Sequence, residues 1–336
     1  MKKDFLNKTV VITGASAGLG RAMVREFAKH GANIGLMARG EDGLEGAKKE
    51  VEELGGKALA VPADVANADE VEEAAKKIEE YFGGIDIWVN NAMVSVFGPF
   101  KKIEAKDYER VTDVTYLGQV YGTQAALKRM LPKNKGTIIL IGSALAYRGI
   151  PLQSAYCGAK HAIHGFFESL RSELIKEESN VKLSMVQMPA MNTTQFSWVK
   201  SYLKNKPKPM GRIFEPEVAA KAVVQVAREH QRELYVGYPT VQTILGNKIL
   251  PGYLDKYLAE TGFKGQQTDE PVSPDRQHNL YKPLPGDHGA RGTFAGSSWN
   301  HSPETWMATH KKTTIGLLAG IAVGIGLVNI LNNKNN

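Results

Sequence analysis

Short apolar runs alternate along this chain with segments whose apolar residues recur at helical spacing. Residues 8–13 (KTVVIT) are apolar, rich in β-branched side chains and followed by a glycine, which predicts a buried strand. Residues 19–30 then carry apolar positions three or four apart and stop at Gly31, which predicts a helix with a glycine at its end. Strict alternation of strand and helix is typical of a parallel sheet covered by helices on both faces.

The alternation continues well past the middle of the chain. Further strands are expected at residues 33–37, 57–61, 85–89, 136–142, 181–187 and 233–237. Helices are expected at residues 41–54, 67–82, 104–131, 154–178 and 215–229, with more helical segments near 240–260. The predicted fold class is therefore α/β, a Rossmann-type, doubly wound parallel sheet in a single domain spanning residues 1–262.

The composition changes after this domain. Residues 263–312 are rich in glycine, proline and polar residues and have no apolar period, so we expect an irregular, partly disordered tail. Residues 313–331 carry no charge, and as a helix they would be about 28 Å long, close to the roughly 30 Å of a bilayer core. Two interpretations stay open: a C-terminal membrane anchor, favoured by the polar tether and flanking lysines, or a terminal helix packed on this domain or on a second subunit.

Charge and cysteine content exclude some classes of function. The formal net charge is +7, but acids and bases are interleaved, as at residues 45–54, so we expect no nucleic-acid binding. Cys157 is the only cysteine, which excludes an intrachain disulfide and fits a cytoplasmic domain. His161 and His164 have no third ligand at a suitable spacing, so no metal site is expected.

The sequence TGASAGLG at residues 13–20 joins the first predicted strand to the first predicted helix. Gly14, Gly18 and Gly20 would let backbone N–H groups approach a pyrophosphate, and the helix N-terminus adds partial positive charge. Arg39 ends the second predicted strand, where an NAD-specific site would present an acid. Because a guanidinium pairs with a 2′-phosphate, the sequence predicts NADP(H) rather than NAD.

Residues 156–160 read YCGAK, which places Tyr156 and Lys160 on one face of a helix. An ammonium beside a phenol favours the phenolate, and lowering a tyrosine pKa from about 10 to about 7 takes roughly 4 kcal/mol. We expect Lys160 and an oxidised nicotinamide ring to supply that field. Ser143 follows the strand predicted at 136–142, at the sheet edge that binds ligands, where its hydroxyl can donate to a developing alkoxide.

In order, TGASAGLG, Asp64-Val65, NNA at 90–92, Ser143 and YCGAK resemble the short-chain dehydrogenase/reductase family in its single-domain form, over about residues 6–260. The resemblance implies that Tyr156 is the general acid/base, that Lys160 binds the nicotinamide ribose and that Ser143 positions the reacting oxygen. It also implies a homodimer or homotetramer. The cofactor-binding residues that we predict are Gly14, Ser16, Gly18, Leu19, Gly20, Arg39, Asp64, Val65, Asn90, Ala92, Tyr156, Lys160, Pro189 and Thr194.

One departure from the family pattern bears on catalysis. Thr115 stands where the family usually has an asparagine that supports a water relay from the lysine to solvent. A threonine hydroxyl can hold a water, so Thr115 is kept among the predicted catalytic residues. Met93 replaces a glycine and narrows the site, and Ala190 replaces another after Pro189.

The family's substrate loop falls at about residues 190–214. Aromatic and aliphatic residues there and after the fourth strand predict a lipophilic substrate, or simply pack the loop: Val94, Val96, Phe97, Phe196, Trp198, Tyr202 and Phe214. Basic residues in the loop either meet an anionic lipid surface or keep the loop soluble: Lys200, Lys204, Lys206, Lys208 and Arg212.

The predicted function is hydride transfer between NADP(H) and a carbonyl or alcohol group of a lipophilic small molecule. The alternative is a catalytically lapsed, membrane-tethered NADP(H)-binding scaffold or redox sensor, which Thr115 keeps open. A methyltransferase with a similar nucleotide turn is a third class, but a Tyr-Lys pair contributes nothing to methyl transfer.

Overall fold

The computed structural model describes residues 3–310 and 313–314. Its strands are β1 (Thr9–Thr13), β2 (Asn33–Ala38), β3 (Ala58–Pro62), β4 (Ile87–Asn90), β5 (Val96–Phe97), β6 (Thr137–Ile141), β7 (Lys182–Gln187), β8 (Lys200–Ser201), β9 (Asn205–Pro207), β10 (Ile213–Phe214), β11 (Glu233–Tyr235), β12 (Gln267–Pro271) and β13 (Ser298–Trp299). Its helices are α1 (Gly18–Lys29), α2 (Glu41–Glu53), α3 (Ala68–Phe82), α4 (Ala105–Thr112), α5 (Gly118–Met130), α6 (Ser154–Lys176), α7 (Gln195–Trp198), α8 (Pro216–Glu229), α9 (Tyr238–Ile249), α10 (Pro251–Gly265) and α11 (Pro303–Thr309).

Seven parallel strands form the central sheet in the order β3-β2-β1-β4-β6-β7-β11. The chain winds outwards from β1 in one direction through β2 and β3, then returns to β4 and continues the other way. The connections therefore diverge between β1 and β4, and they leave a crevice at the carboxyl ends of these strands. This is where doubly wound sheets bind their ligands.

Both faces of the sheet are buried. Because successive side chains of a strand point to opposite faces, Val10 and Ile12 of β1 pack into one apolar cluster together with Phe27 of α1. Val11 belongs to the cluster on the other face, together with Ile163 of α6. The predicted α/β class, a doubly wound parallel sheet of Rossmann type, is confirmed.

The long helix expected at residues 104–131 is interrupted. Helix α4 ends at Thr112, a π-helical turn spans Asp113–Leu117, and α5 begins at Gly118. Such a turn changes the direction in which the following side chains point, and it is frequent at functional sites. Thr115 lies inside it.

The tail differs from the sequence prediction. Helix α10 continues to Gly265, past the domain boundary expected at 262, and the following residues up to 310 pack back on the domain. Strand β12 pairs with β9, β13 pairs with β10, and Leu280 is 0% exposed. The segment has no apolar period because backbone hydrogen bonds, rather than an apolar helix or strand face, hold much of it in place.

The membrane prediction concerns residues 313–331. Of these, 315–331 lie outside the described residues, so the expected terminal helix is not tested. Within residues 3–310 and 313–314, no helix is both long enough and apolar enough to span a bilayer.

Candidate active site

A cavity of about 900 Å³ opens at the carboxyl edge of the sheet, where the topology places the crevice. The turn after β1 lines one side, and the ends of β4, β6 and β7 with the start of α6 line another. Residues that lie far apart in the sequence thus form one concave surface, which is the usual form of a small-molecule site. The predicted site residues that line it are Gly14, Ser16, Gly18, Leu19, Gly20, Arg39, Asp64, Val65, Ala92, Ser143, Tyr156, Lys160, Pro189 and Thr194.

The glycine turn has a conformation that other residues cannot adopt without strain. Gly14 has a φ of 68°, and a Cβ built on Gly20 would lie 2.0 Å from the Gly14 carbonyl oxygen. The Gly14 N–H donates to the Met37 carbonyl at 2.7 Å, which holds the turn against the end of β2. The close approach of turn and helix that a pyrophosphate site needs is therefore built into the backbone.

Ser143 and Tyr156 meet at the cavity wall. Ser143 follows β6, and its backbone N–H donates to Gln187 Oε1 at 2.7 Å, which fixes its position beside β7. Its Oγ accepts from the Leu145 N–H at 3.1 Å and shares a hydrogen bond with the Tyr156 hydroxyl. Two side-chain hydroxyls are thus adjacent on the surface that a substrate would face.

Lys160 is 1% exposed, one helical turn after Tyr156. Its Nζ donates to the Ile141 carbonyl at 2.7 Å and lies 5.6 Å from the centroid of the Tyr156 ring. Burial lowers the pKa of Lys160 to about 7, because the ammonium loses hydration and no carboxylate compensates for it.

Burial also affects the pKa of Tyr156. Burial raises the pKa of Tyr156 above its ordinary value, although the hydrogen bond from Ser143 acts in the opposite direction. The Lys160 Nζ lies 5.6 Å from the centroid of the phenol ring, and burial makes its positive charge itself unfavourable. In the polypeptide alone, burial therefore disfavours the charged form of both Tyr156 and Lys160. An acidic phenol produced by Lys160 together with an oxidised nicotinamide ring stays a prediction.

Thr115 is not among the residues that line the cavity, and its predicted catalytic role stays a prediction. Its Oγ1 donates to the Val94 carbonyl at 2.8 Å and accepts from the Val94 N–H at 3.1 Å. The backbone N–H and C=O of Val94 therefore use both the donor and an acceptor position of this hydroxyl. Thr115 therefore pins the segment after β4 to the π-helical turn, rather than offering its hydroxyl to Lys160.

Gln119 was not singled out from the sequence. It is 1% exposed, and its Nε2 donates at 3.1 Å to the Ile141 carbonyl, the same oxygen that accepts from Lys160. Its Oε1 is buried without a hydrogen-bond partner in the described part of the chain. The available signal was a glutamine four positions after Thr115, in the first turns of a helix whose nearby buried residues are Gly118, Gly122 and Thr123.

Asn90, one of the predicted cofactor-binding residues, is the last residue of β4. It is 0% exposed and does not line the cavity. Its Oδ1 accepts from Trp88 Nε1 at 2.8 Å, and its Nδ2 donates to Thr123 Oγ1 at 3.0 Å. Asn91 lines the cavity instead, and its Nδ2 donates to the Thr13 carbonyl at 2.9 Å. The side chains of Asn90 and Asn91 differ in this way because neighbouring residues of an extended chain point to opposite faces.

The end of the crevice beside β2 and β3 contains residues that the sequence could not bring together. Arg39 donates through Nη1 and Nη2 to backbone carbonyls of the tail, at residues 279–281. The Asp64 carboxylate accepts from Arg110 at 2.5 Å, and Arg110 also donates to the Leu280 carbonyl. The residues after position 262 therefore form part of this site.

On the opposite side of the cavity, only some of the residues that we predicted to contact the substrate line the wall. Val94, Phe196, Trp198 and Arg212 line it, joined by side chains that the sequence did not indicate: Ile150, Met188, Met191, Met210, Tyr253, Leu254 and Tyr257. Phe97 and Phe196 form a small separate core with Val199, while Val96 and Phe214 are fully buried. Packing of the loop thus explains several of its aromatic residues.

Two of the loop lysines are engaged in ion pairs rather than free to meet a lipid surface. Lys200 contacts the buried Asp107 at 2.8 Å, and Lys206 contacts Glu270 at 2.6 Å. The charge of Lys200 therefore stabilises the interior of the molecule.

Comparison with known proteins agrees with this geometry. A family model described as short chain dehydrogenase matches residues 8–201. An uncharacterised oxidoreductase of Bacillus subtilis is 33% identical over 328 residues, covering 97% of this chain and 90% of the relative. This chain therefore belongs to the short-chain dehydrogenase/reductase family of oxidoreductases.

Other relatives and solved structures match about two thirds of this chain. A 3-dehydrosphinganine reductase of Danio rerio is 33% identical over 65% of this chain and 68% of its own length. An alcohol dehydrogenase from Thermococcus sibiricus, complexed with 5-hydroxy-NADP, superposes with a TM-score of 0.58 at 28% identity, over 68% of this chain and 95% of that one. A metagenomic short-chain oxidoreductase in complex with NADP has a TM-score of 0.59 at 25% identity, over 69% and 97%.

Proposed function

We propose that the protein transfers a hydride between NADP(H) and a carbonyl or alcohol group of a lipophilic small molecule. The observation that carries this proposal is the convergence of Ser143, Tyr156 and Lys160 on one cavity with the glycine turn. A nucleotide site without chemistry would not need two adjacent hydroxyls and a buried lysine at its reactive end.

The residues present fit the proposed cofactor. The turn at Gly14 and Gly20 leaves no room for side chains, as a closely bound pyrophosphate requires, and Val65 offers an apolar wall beside Asp64. Arg39 places a guanidinium at the end of β2, which supports NADP(H) over NAD because it can pair with a 2′-phosphate. When bound, the nicotinamide supplies or accepts the hydride.

The protein's own groups then handle the oxygen of the substrate. In the direction of reduction, Ser143 donates a hydrogen bond to the carbonyl oxygen, and Tyr156 gives its proton to that oxygen as an alcohol forms. Because burial raises the pKa of Tyr156, the phenol is protonated near neutral pH and holds the proton that the substrate oxygen needs. The same shift makes the phenol a weaker acid, so proton transfer requires stabilisation of the phenolate. The Lys160 ammonium, already desolvated, is placed to stabilise the phenolate left behind.

The substrate side supports a lipophilic molecule. Methionine, aromatic and aliphatic side chains surround the reactive end, and helices α9 and α10 add Tyr253, Leu254 and Tyr257 to this wall. Arg148 and Arg212 are the cationic residues of that wall, so a polar group at one end of the substrate is compatible with it.

The direct test is a Tyr156→Phe variant. We expect turnover of hydrophobic aldehydes and ketones, followed by NADPH consumption, to fall by about 10²-fold or more, because the proton donor is lost. NADPH binding, followed by fluorescence titration, should change little and should be tighter than NADH binding in both proteins.

Two outcomes would count against the proposal. Turnover that survives in Tyr156→Phe would reject the mechanism. A wild-type protein that binds NADPH but consumes none with any carbonyl or alcohol of the panel would favour the lapsed scaffold or redox sensor instead.

A further inference from the structure

One segment of the tail crosses the nucleotide end of the cavity. Residues 276–292, here called the strap, contain no helix or strand of the central fold. Five of its residues line the cavity together with the glycine turn: Asn279, Pro283, Leu284, Gly286 and His288. The strap and the phosphate-binding turn are therefore opposite walls of the same space.

Polar contacts attach the strap to the cofactor half of the protein. The Gly18 N–H, at the start of α1, donates to the Gly289 carbonyl at 3.0 Å. Asp287 receives two hydrogen bonds at 3.0 Å from Arg21, whose side chain is 1% exposed. The Gly286 N–H donates to the Asp42 carboxylate at 2.6 Å. These contacts span the turn, α1 and the start of α2.

The other contacts of the strap attach it to the substrate loop. The Asn279 N–H donates to the Trp198 carbonyl at 3.1 Å, and Arg276 Nη2 donates to the Phe196 carbonyl at 2.7 Å. The rings of His288 and Trp198 meet edge to face, with their centroids 4.7 Å apart. One irregular segment thus joins the two halves of the cavity.

The forces that hold the strap are mainly polar. Leu280 and Ala290 are its buried apolar residues, whereas the central sheet is covered by apolar clusters on both faces. The free energy needed to open a segment with few buried apolar contacts is lower than the free energy needed to unfold the core. The strap can therefore leave the cavity while the sheet stays folded.

We propose that the strap closes over the adenosine half of the bound nucleotide and must open for nucleotide exchange. This inference rests on the proposed function, because it assumes that the cavity binds NADP(H). It assigns to residues after position 262 a role in retaining the cofactor, and it makes release of the nucleotide a step controlled by the protein.

Arg39 links the strap to the identity of the nucleotide. Its Nη2 donates to the Asn279 carbonyl at 2.5 Å, and its Nη1 donates to the Tyr281 carbonyl at 2.9 Å. None of its contacts with strap carbonyls uses Nε, so the Nε–H can donate to a phosphate oxygen. A 2′-phosphate bound there would hold Arg39, and through it the strap, so NADPH should exchange more slowly than NADH.

A reversible crosslink tests the proposal. A Cβ built on Gly40 would lie 3.3 Å from Pro283 Cβ, close to the roughly 3.5–4.5 Å between the Cβ atoms of a disulfide. In the double variant Gly40→Cys/Pro283→Cys, NADPH loaded before oxidation should dissociate about tenfold or more slowly than from the reduced protein, because the strap cannot lift. Stopped-flow fluorescence during displacement by excess NADP⁺ measures this rate.

Controls separate the crosslink from oxidation itself. Each single-cysteine variant, treated with the same oxidant, should release NADPH at the rate of its reduced form, and a thiol reductant should restore the rate of the double variant. NADPH added after oxidation should also bind about tenfold more slowly, as expected if entry and exit use the same opening.

Loosening the strap should have the opposite effect. Asp287→Asn removes the ion pair with Arg21 and should speed NADPH release several-fold. Glu72→Gln is the matched control, because it removes an ion pair with Arg129, whose side chain is likewise buried but lies between α3 and α5. Its release rate should equal that of the wild type.

The outcomes distinguish this proposal from the proposed function. Equal release rates in the oxidised double variant, its reduced form and Asp287→Asn would overturn the strap proposal while nucleotide binding itself stands. A wild-type protein that binds neither NADPH nor NADH would overturn both.

Discussion

Lys160 lines the site, but its burial destabilises the fold. Its ammonium is buried beside a carbonyl oxygen, with no carboxylate as partner, and its pKa falls to about 7. An exposed lysine has a pKa near 10.4. The unfolded chain therefore binds more protons than the folded chain between about pH 7 and pH 10, so this residue destabilises the fold most at and below pH 7.

A Lys160→Met variant makes this cost measurable. The free energy of unfolding of the wild type, relative to the variant, should rise with pH between 7 and 10, by at most about 1.4 kcal/mol per pH unit. Urea unfolding of nucleotide-free protein at several pH values gives the difference. Lys76→Met, at an exposed lysine of α3, should show no such trend, and a flat profile for Lys160→Met would contradict the assignment.

At the scale of elements, Asp107 joins three separate parts of the chain. This residue of α4 is 0% exposed and accepts hydrogen bonds from Lys200 at 2.8 Å, Tyr202 at 2.7 Å and Tyr281 of the strap. Burial alone would raise the pKa of Asp107, but the hydrogen bonds from these three groups outweigh it and hold the pKa below its usual range. The cluster therefore fixes the substrate loop and the strap to one helix.

An Asp107→Asn variant should lose about 3 kcal/mol of stability, because removing one partner of a buried ion pair leaves Lys200 uncompensated. The double variant Asp107→Leu/Lys200→Met, which replaces the pair by apolar groups, should recover much of this loss. Chemical denaturation near neutral pH checks both. If Asp107→Asn were as stable as the wild type, the ion pair would not hold these elements together.

At the scale of the whole molecule, the central domain and the tail make one packed unit within the described residues. The cavity needs both, since Arg39 and the glycine turn contact residues beyond position 262. The assembly into dimers or tetramers that the family resemblance implies stays a prediction.

The apolar run at residues 313–331 gives a prediction at this scale too. If it anchors the protein, the full chain should stay with membranes during carbonate extraction, and a variant lacking residues 315–336 should be released, because about 20 uncharged residues suffice to span a bilayer core. Release of the full chain by carbonate would end the anchor interpretation and leave the packed terminal helix.

The local pattern of the sequence was sufficient for the sheet, most of its helices, and the part of the cavity wall formed by the glycine turn, Ser143, Tyr156 and Lys160. Strand and helix periods depend on neighbouring residues, and a buried parallel sheet requires apolar runs such as residues 8–13 whatever lies elsewhere in the chain. The glycine turn, Ser143, Tyr156 and Lys160 were recognisable because their short spacings reflect turn and helix geometry.

Tertiary structure alone decided the rest. Whether Asn90 or Asn91 faces the cavity depends on which face of β4 is covered, and the partner of Thr115 depends on how the π-helical turn meets the segment after β4. The contacts between Arg39 and the strap could not be predicted from the sequence. They join the Arg39 side chain to backbone carbonyls 240 or more residues away, and every residue has a backbone carbonyl whatever its side chain. Local periodicity therefore determined the scaffold, whereas contacts between distant backbone and side-chain groups determined how the site is closed and how its lysine and tyrosine titrate.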